Sequence, residues 1–209
     1  MNTSKWPEYL PGWDDHIYAI GMVSLNYGQL EGMFGHLFAI TTGMTSIQVD
    51  AFFQRLQNDA RVKVFNQLLS ARADLPDALK EALVAFVKAY EVCATNRNAI
   101  MHSKNGGRFT RESDSTGGLV LEKVNRDGVR VCSLCTLADL RRVADEIHAY
   151  MIFAAQLISD VRAAVHHGKD DHRGQPRSSL DRPTPPQFLD WRPLSDYQSH
   201  KPQPGTSQG

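Results

Sequence analysis

Residues 79–102 read LKEALVAFVKAYEVCATNRNAIMH, and this stretch decides the fold. Leu79, Leu83, Phe86, Tyr90, Cys93 and Ala94 recur at the spacing of one helical face. Pro76 punctuates the chain before it and predicts a helix start at or beside that residue. Asn105, Gly106 and Gly107 follow, so the helix should end near His102 or Ser103. At about 100° per residue, positions eighteen apart point almost the same way. Arg97 therefore returns to the direction of Leu79, in the middle of the apolar stripe. A charge on such a stripe is costly unless it is paired or faces a cleft.

Working outward, the N-terminal side holds three more helical patterns. Pro7, Pro11 and Gly12 mark residues 1–13 as an arm, and Asp14 or Asp15 caps a first helix running to about Gly43. Ile20, Tyr27, Phe34 and Phe38 form its apolar stripe, and Glu31 falls inside it. Two buried-side charges of opposite sign on two long helices suggest a Glu31–Arg97 pair, which by itself is no more than a structural lock. Thr45 or Ser46 opens a second helix through Val49, Phe52, Phe53 and Leu56. A third follows near Asn58 with Val62, Phe65, Leu68 and Leu69.

On the C-terminal side, Leu119, Val120 and Leu121 are separated from Val129, Arg130 and Val131 by a segment containing Asp127 and Gly128. Asp-Gly between β-prone runs predicts a hairpin, here an insertion over about 107–135. A long helix then runs from about Thr136, with Leu137, Leu140, Ala144, Ile147, Met151, Ala154, Ile158 and Val161 on one stripe. After Gly168 the composition changes. Of the ten prolines, Pro176, Pro183, Pro185, Pro186, Pro193, Pro202 and Pro204 lie here, so residues 169–209 are expected to be a disordered tail. The expectation is an all-α domain over 14–168: an antiparallel up-down bundle of about five helices with a small β-hairpin insertion before the last.

Composition narrows the function. Lys plus Arg number 23 and Asp plus Glu also 23, so no global field draws the protein to nucleic acid, and any such binding needs a local positive patch. No apolar run approaches the roughly 20 residues that span a bilayer, and residues 1–15 lack the apolar centre of a signal peptide. Three cysteines do not make a disulfide framework. The expectation is a cytoplasmic protein without membrane association. Cys132 and Cys135 form a lone C-x-x-C, too few ligands for zinc. His16, His36 and His148 read as surface or satisfied core residues. His166, His167 and His172 lie near the end of the last helix or in the tail. No metal or cofactor is called for.

One string carries chemistry. Arg97, Asn98 and His102 place a cation, an amide and an imidazole at the end of a long helix. This arrangement, an Arg, a polar residue and a His after a short spacer, resembles the signature of HEPN domains over residues 14–168. Glu31 is similar to an acidic residue often found near that motif. The resemblance implies a metal-independent endoribonuclease that acts as a homodimer, its two motifs meeting across the interface. It also implies a role in toxin–antitoxin systems, phage defence or stress response, with a cognate inhibitor or antitoxin as a possible partner.

Residue chemistry fits that implication. His102 suits proton transfer near neutral pH. Arg97 offers an always-charged bidentate fork for phosphate. Asn98, four positions before His102, would orient the imidazole or a phosphate oxygen, and Glu31 would hold Arg97. Five positions on a helix diverge by about 140°, so Arg97 and His102 of one chain are expected to need a second copy to complete the site. From Asn96 to Arg111 no acid occurs, whereas Lys104, Arg108 and Arg111 are basic and Phe109 offers a ring for base stacking; these four are the expected RNA contacts. Lys104 stands where nucleotidyltransferase-controlled members of the family often carry the Tyr that is modified, which argues against that control. The rival expectation is a non-catalytic HEPN-like binding or assembly module for a protein, nucleotide or RNA.

Overall fold

The computed structural model describes residues 14–111, 114–167 and 182–198. The chain is mostly helical. The order is α1 (Asp14–Thr42), α2 (Ser46–Arg55), α3 (Asn58–Ala71), α4 (Asp77–His102), β1 (Lys104–Arg111), β2 (Asp114–Val124), β3 (Arg130–Thr136), α5 (Leu137–His167), β4 (Arg192–Pro193) and α6 (Leu194–Gln198). The predicted arm, 1–13, lies outside the described residues.

Local chemistry sets these bounds. Gly43, with φ of 72°, ends α1 in the left-handed conformation that only glycine adopts without strain. Thr45 starts α2 with a capping box: its hydroxyl accepts from the Gln48 amide and the Gln48 side chain accepts from the Thr45 amide. Thr136 and Asp139 make the same reciprocal pair at the start of α5. Pro76 sits at the N-cap of α4, and Ser103 ends it in extended backbone while its amide donates to the Ala99 carbonyl. The chain passes from the last turn of α4 almost directly into β1.

Phe34 is the centre of the core. Its ring lies 4.6 Å from Tyr90, 5.4 Å from Phe65, 5.5 Å from Phe53 and 6.1 Å from Phe86, joining α1 to α2, α3 and α4. Two turns earlier on α1, Tyr27 stacks on Tyr90 at 5.9 Å. α5 packs chiefly on α1, where the buried Asn26 amide donates to the Ala144 carbonyl at 3.1 Å, and α4 packs on both. Helix pairs of this kind bury their stripes against each other rather than against water.

The insertion is larger than the predicted hairpin. β2 and β3 pair antiparallel as expected, Leu119 opposite Cys135 and Leu121 opposite Ser133. Between them the Asn125 side chain accepts from the amides of Asp127 and Val129, and Gly128 has φ of 77°. β1 adds a further antiparallel strand beside β2, so the segment read as a Gly-rich break is a strand. The register skips Gly106 between Asn105 and Gly107, and Gly107, at φ of 114°, pairs with Val120. Leu119, Leu121 and Cys135 carry the sheet onto the helical core.

The tail expectation also needs correction, because residues 182–198 are docked. The Asn96 amide donates to the Gln187 carbonyl at 2.7 Å and its oxygen accepts from the Leu189 amide at 3.1 Å. Leu189 is buried, Tyr150 donates to the Pro183 carbonyl at 3.1 Å, and β4 pairs with β3 at Val131 and Cys132. Proline-rich composition excludes neither a strap that docks through carbonyls nor a single buried leucine. The rest of the predicted tail lies outside the described residues.

Two outcomes are expected from this core. Phe34→Ala should lower stability by about 3–5 kcal/mol in urea unfolding, since the vacated volume touches four helices. Burial pushes the Cys93 and Cys135 thiols up to about 12 and raises Cys132 as well. The three thiols should therefore stay unreactive toward an aromatic disulfide at pH 8 until urea is added. In the unfolded chain thiols ionise near roughly 8.5, so above that pH the unfolded state holds fewer protons and stability falls as pH rises.

Candidate functional site

The last turns of α4 bring together three of the candidate side chains. Arg97 is half-buried, and Asn98 and His102 are exposed. Arg97 Nη1 donates to Asn98 Oδ1 at 3.0 Å and lies 3.1 Å from His102 Nε2. A guanidinium nitrogen only donates, so Nη1 directs one hydrogen to each partner and Nε2 accepts in this arrangement. The expected divergence of Arg97 and His102 within one chain is thus corrected. Their Cβ directions differ, but an arginine side chain spans the roughly 7.5 Å of axial rise over five residues, and the imidazole hangs from the final residue of the helix.

The expected Glu31–Arg97 pair is also corrected. The Glu31 carboxylate is bound by Arg61 Nη1 from α3. Arg61 additionally donates from Nη1 to Asn58 Oδ1 at 3.0 Å and from Nε to the Phe53 carbonyl at 3.1 Å, and stacks over the Phe53 ring at 4.7 Å. Among the described residues no carboxylate pairs with Arg97. Its guanidinium instead lies 5.5 Å from the centre of the Tyr27 ring, a cation–π contact. Among the described residues the guanidinium is thus met by an amide, an imidazole and an aromatic face.

Tyr27 is itself fixed. Its hydroxyl donates to Tyr90 at 3.0 Å, the Tyr90 hydroxyl donates to Asn58 Oδ1 at 3.1 Å, and Asn58 Nδ2 returns to the Tyr27 oxygen at 2.8 Å. Burial raises the pKa of both phenols, with the Glu31 charge adding in the same direction, so both remain protonated. Periodicity places Tyr27 and Tyr90 on their apolar stripes, but the role of Arg61 and the Tyr27–Tyr90–Asn58 cycle escape it. The only hint is that Tyr27 and Arg97 share stripes with the core.

The expected RNA contacts divide. Lys104 is exposed at the start of β1, two residues beyond His102 and opposite Glu122 on β2. Arg108 and Arg111 lie on β1, but their side chains fall outside the described residues. Phe109 does not project freely. It is opposite Gly118, whose absent side chain makes room for its ring: a Cβ there would come within 2.5 Å of that ring and 2.6 Å of the Cys135 carbonyl oxygen. Among the described residues no three His, Cys, Asp or Glu side chains gather as metal ligands would, and Cys132 and Cys135, three apart on β3, take opposite faces.

Comparison with known proteins gives no relative: no family model, no curated protein and no solved structure matches the chain. No helix among the described residues is long and apolar enough to cross a membrane.

Gly118→Ala should displace Phe109 and cost about 1–3 kcal/mol, as overpacking does. A lowered thermal midpoint with altered Phe109 ring resonances would show it.

Proposed function

We propose that this chain is a metal-independent endoribonuclease of HEPN type, a homodimeric helical bundle working in the cytoplasm as an effector of toxin–antitoxin, phage-defence or stress systems. The observation that supports this reading best is the 3.1 Å approach of Arg97 Nη1 to His102 Nε2 on the exposed end of α4, with the guanidinium neutralised by no carboxylate among the described residues. Phosphate cleavage needs a cation beside a proton-transfer group, and this pair supplies both.

The reaction follows from RNA's own nucleophile. On arrival of the phosphodiester, the Arg97 fork turns from Asn98 and His102 to two phosphate oxygens. That releases Nε2, which takes the proton of the 2′-hydroxyl. The 2′-oxygen forms its bond to phosphorus as the bond to the 5′-oxygen breaks, leaving a 2′,3′-cyclic phosphate. The departing 5′-oxygen takes a proton from a second imidazole, His102 of the second copy, so one base and one acid balance the step. Asn98 Oδ1, left by Arg97, accepts from the ring or orients the phosphate through its amide. Lys104 adds positive charge beside the site, with Arg108 and Arg111 along the same strand, while a stacking role for Phe109 would require its ring to leave Gly118.

A second reading, a HEPN-like module that binds RNA or a protein partner without cutting, is favoured by the commitment of Nε2 to Arg97. Purified protein incubated with labelled RNA in EDTA separates the two. Cleavage ending in cyclic phosphate and a 5′-hydroxyl is expected, lowered at least about 100-fold in His102→Ala and in Arg97→Ala, both folded by circular dichroism. Cutting that vanishes in chelator, or persists undiminished in His102→Ala, would exclude this mechanism. Retained RNA binding without product would leave the module reading.

A further inference from the structure

We propose that Tyr27 is a positioning residue for the Arg97 guanidinium, holding it by the face of its ring so that the edge of the fork stays open to an anion. The anion named is a phosphate of RNA, and to that extent the inference rests on the function proposed above.

Three observations point the same way. Arg97 Nε is buried and has no hydrogen-bond partner among the described residues, which is costly for a charged group unless another attraction offsets it. The Tyr27 ring supplies that attraction at 5.5 Å from the guanidinium carbon. Tyr27 is only 4% exposed, is stacked on Tyr90 with 23° between the rings, and has its hydroxyl closed into the Tyr90–Asn58 cycle, so the platform cannot drift. The one carboxylate positioned on α1 to replace it, Glu31, is held by Arg61. A carboxylate clamp would neutralise the cation and occupy its in-plane hydrogens. A ring face does neither. The chain thus separates holding the arginine from discharging it, and leaves Nη2 without a protein partner among the described residues.

The Arg97 Nε–H resonance, assigned by its absence in Arg97→Lys, tests this with no substrate present. Ring current should shift it upfield and tethering should give it a positive heteronuclear NOE in wild type and in Tyr27→Phe, which keeps the face. Both signatures should vanish in Tyr27→Leu. An Nε–H signal unchanged between wild type and Tyr27→Leu overturns the assignment. Should Tyr27→Leu fail to fold, pentafluorophenylalanine at position 27 keeps the shape and inverts the face. Loss of the shifted, ordered signal then supports the inference, and its retention refutes it. In the cleavage assay Tyr27→Phe should hold kcat/KM within about threefold. Tyr27→Leu should lose at least about tenfold, and should add little once Arg97→Ala is in place, as expected for a residue acting through Arg97. Wild type that does not cut RNA removes the nuclease reading, and the resonance still decides the role of Tyr27.

Discussion

The contact of Phe34 with Tyr90, 4.6 Å between ring centres, is the constraint from which the rest of the molecule is hung. It locks α1 to α4 at one level, and α2 and α3 close on the same ring through Phe53 and Phe65. Moving two turns back along α1 and two turns forward along α4 leads from Phe34 to Tyr27 and from Tyr90 to Arg97. The seam therefore proceeds ring by ring from the dry interior to a cation at the surface. Any rotation of α1 that disturbed the core would also swing the Tyr27 face away from the guanidinium. Stability and the geometry of the α4 terminus are in this sense one property.

The distribution of charge follows from that seam. Two arginines approach the α1 stripe from different helices, and Glu31 is the carboxylate on that stripe. Arg61 takes it, with two further carbonyl and amide oxygens completing its donors. Arg97 is left with an amide, an imidazole and an aromatic face. A guanidinium so placed has no carboxylate partner among the described residues, in a chain of zero formal net charge.

Much of this was legible in the sequence where local chemistry acts alone. Pro76 and the glycines after Ser103 bracket α4, Thr45 or Ser46 announces α2, and Asp127 with Gly128 marks the β2–β3 connection. Periodicity also identified Arg97 and Glu31 as charges on apolar stripes. It could not say which charge each would meet, because a stripe gives a direction from one axis and says nothing of what a third helix brings in. Arg61, between Ala60 and Val62 on α3, shows no anomaly until α3 is packed. The 140° divergence failed for a related reason: it treats side chains as radial spokes, whereas Arg97 lies along its helix. β1 was hidden by glycines that a bulged edge tolerates. The strap at 182–198 was hidden because its docking depends on backbone oxygens, which composition does not register.

That strap has a consequence for the order in which the molecule assembles. The bond between Leu189 and Asn96 joins residues 93 apart in sequence, and such closures form late because chain entropy must be given up before the contact rewards it. Elements that close last and hold by few bonds are also among the first to open in the native state. Were this strap to lift, both amide atoms of Asn96, one residue before Arg97, would lose their partners to water.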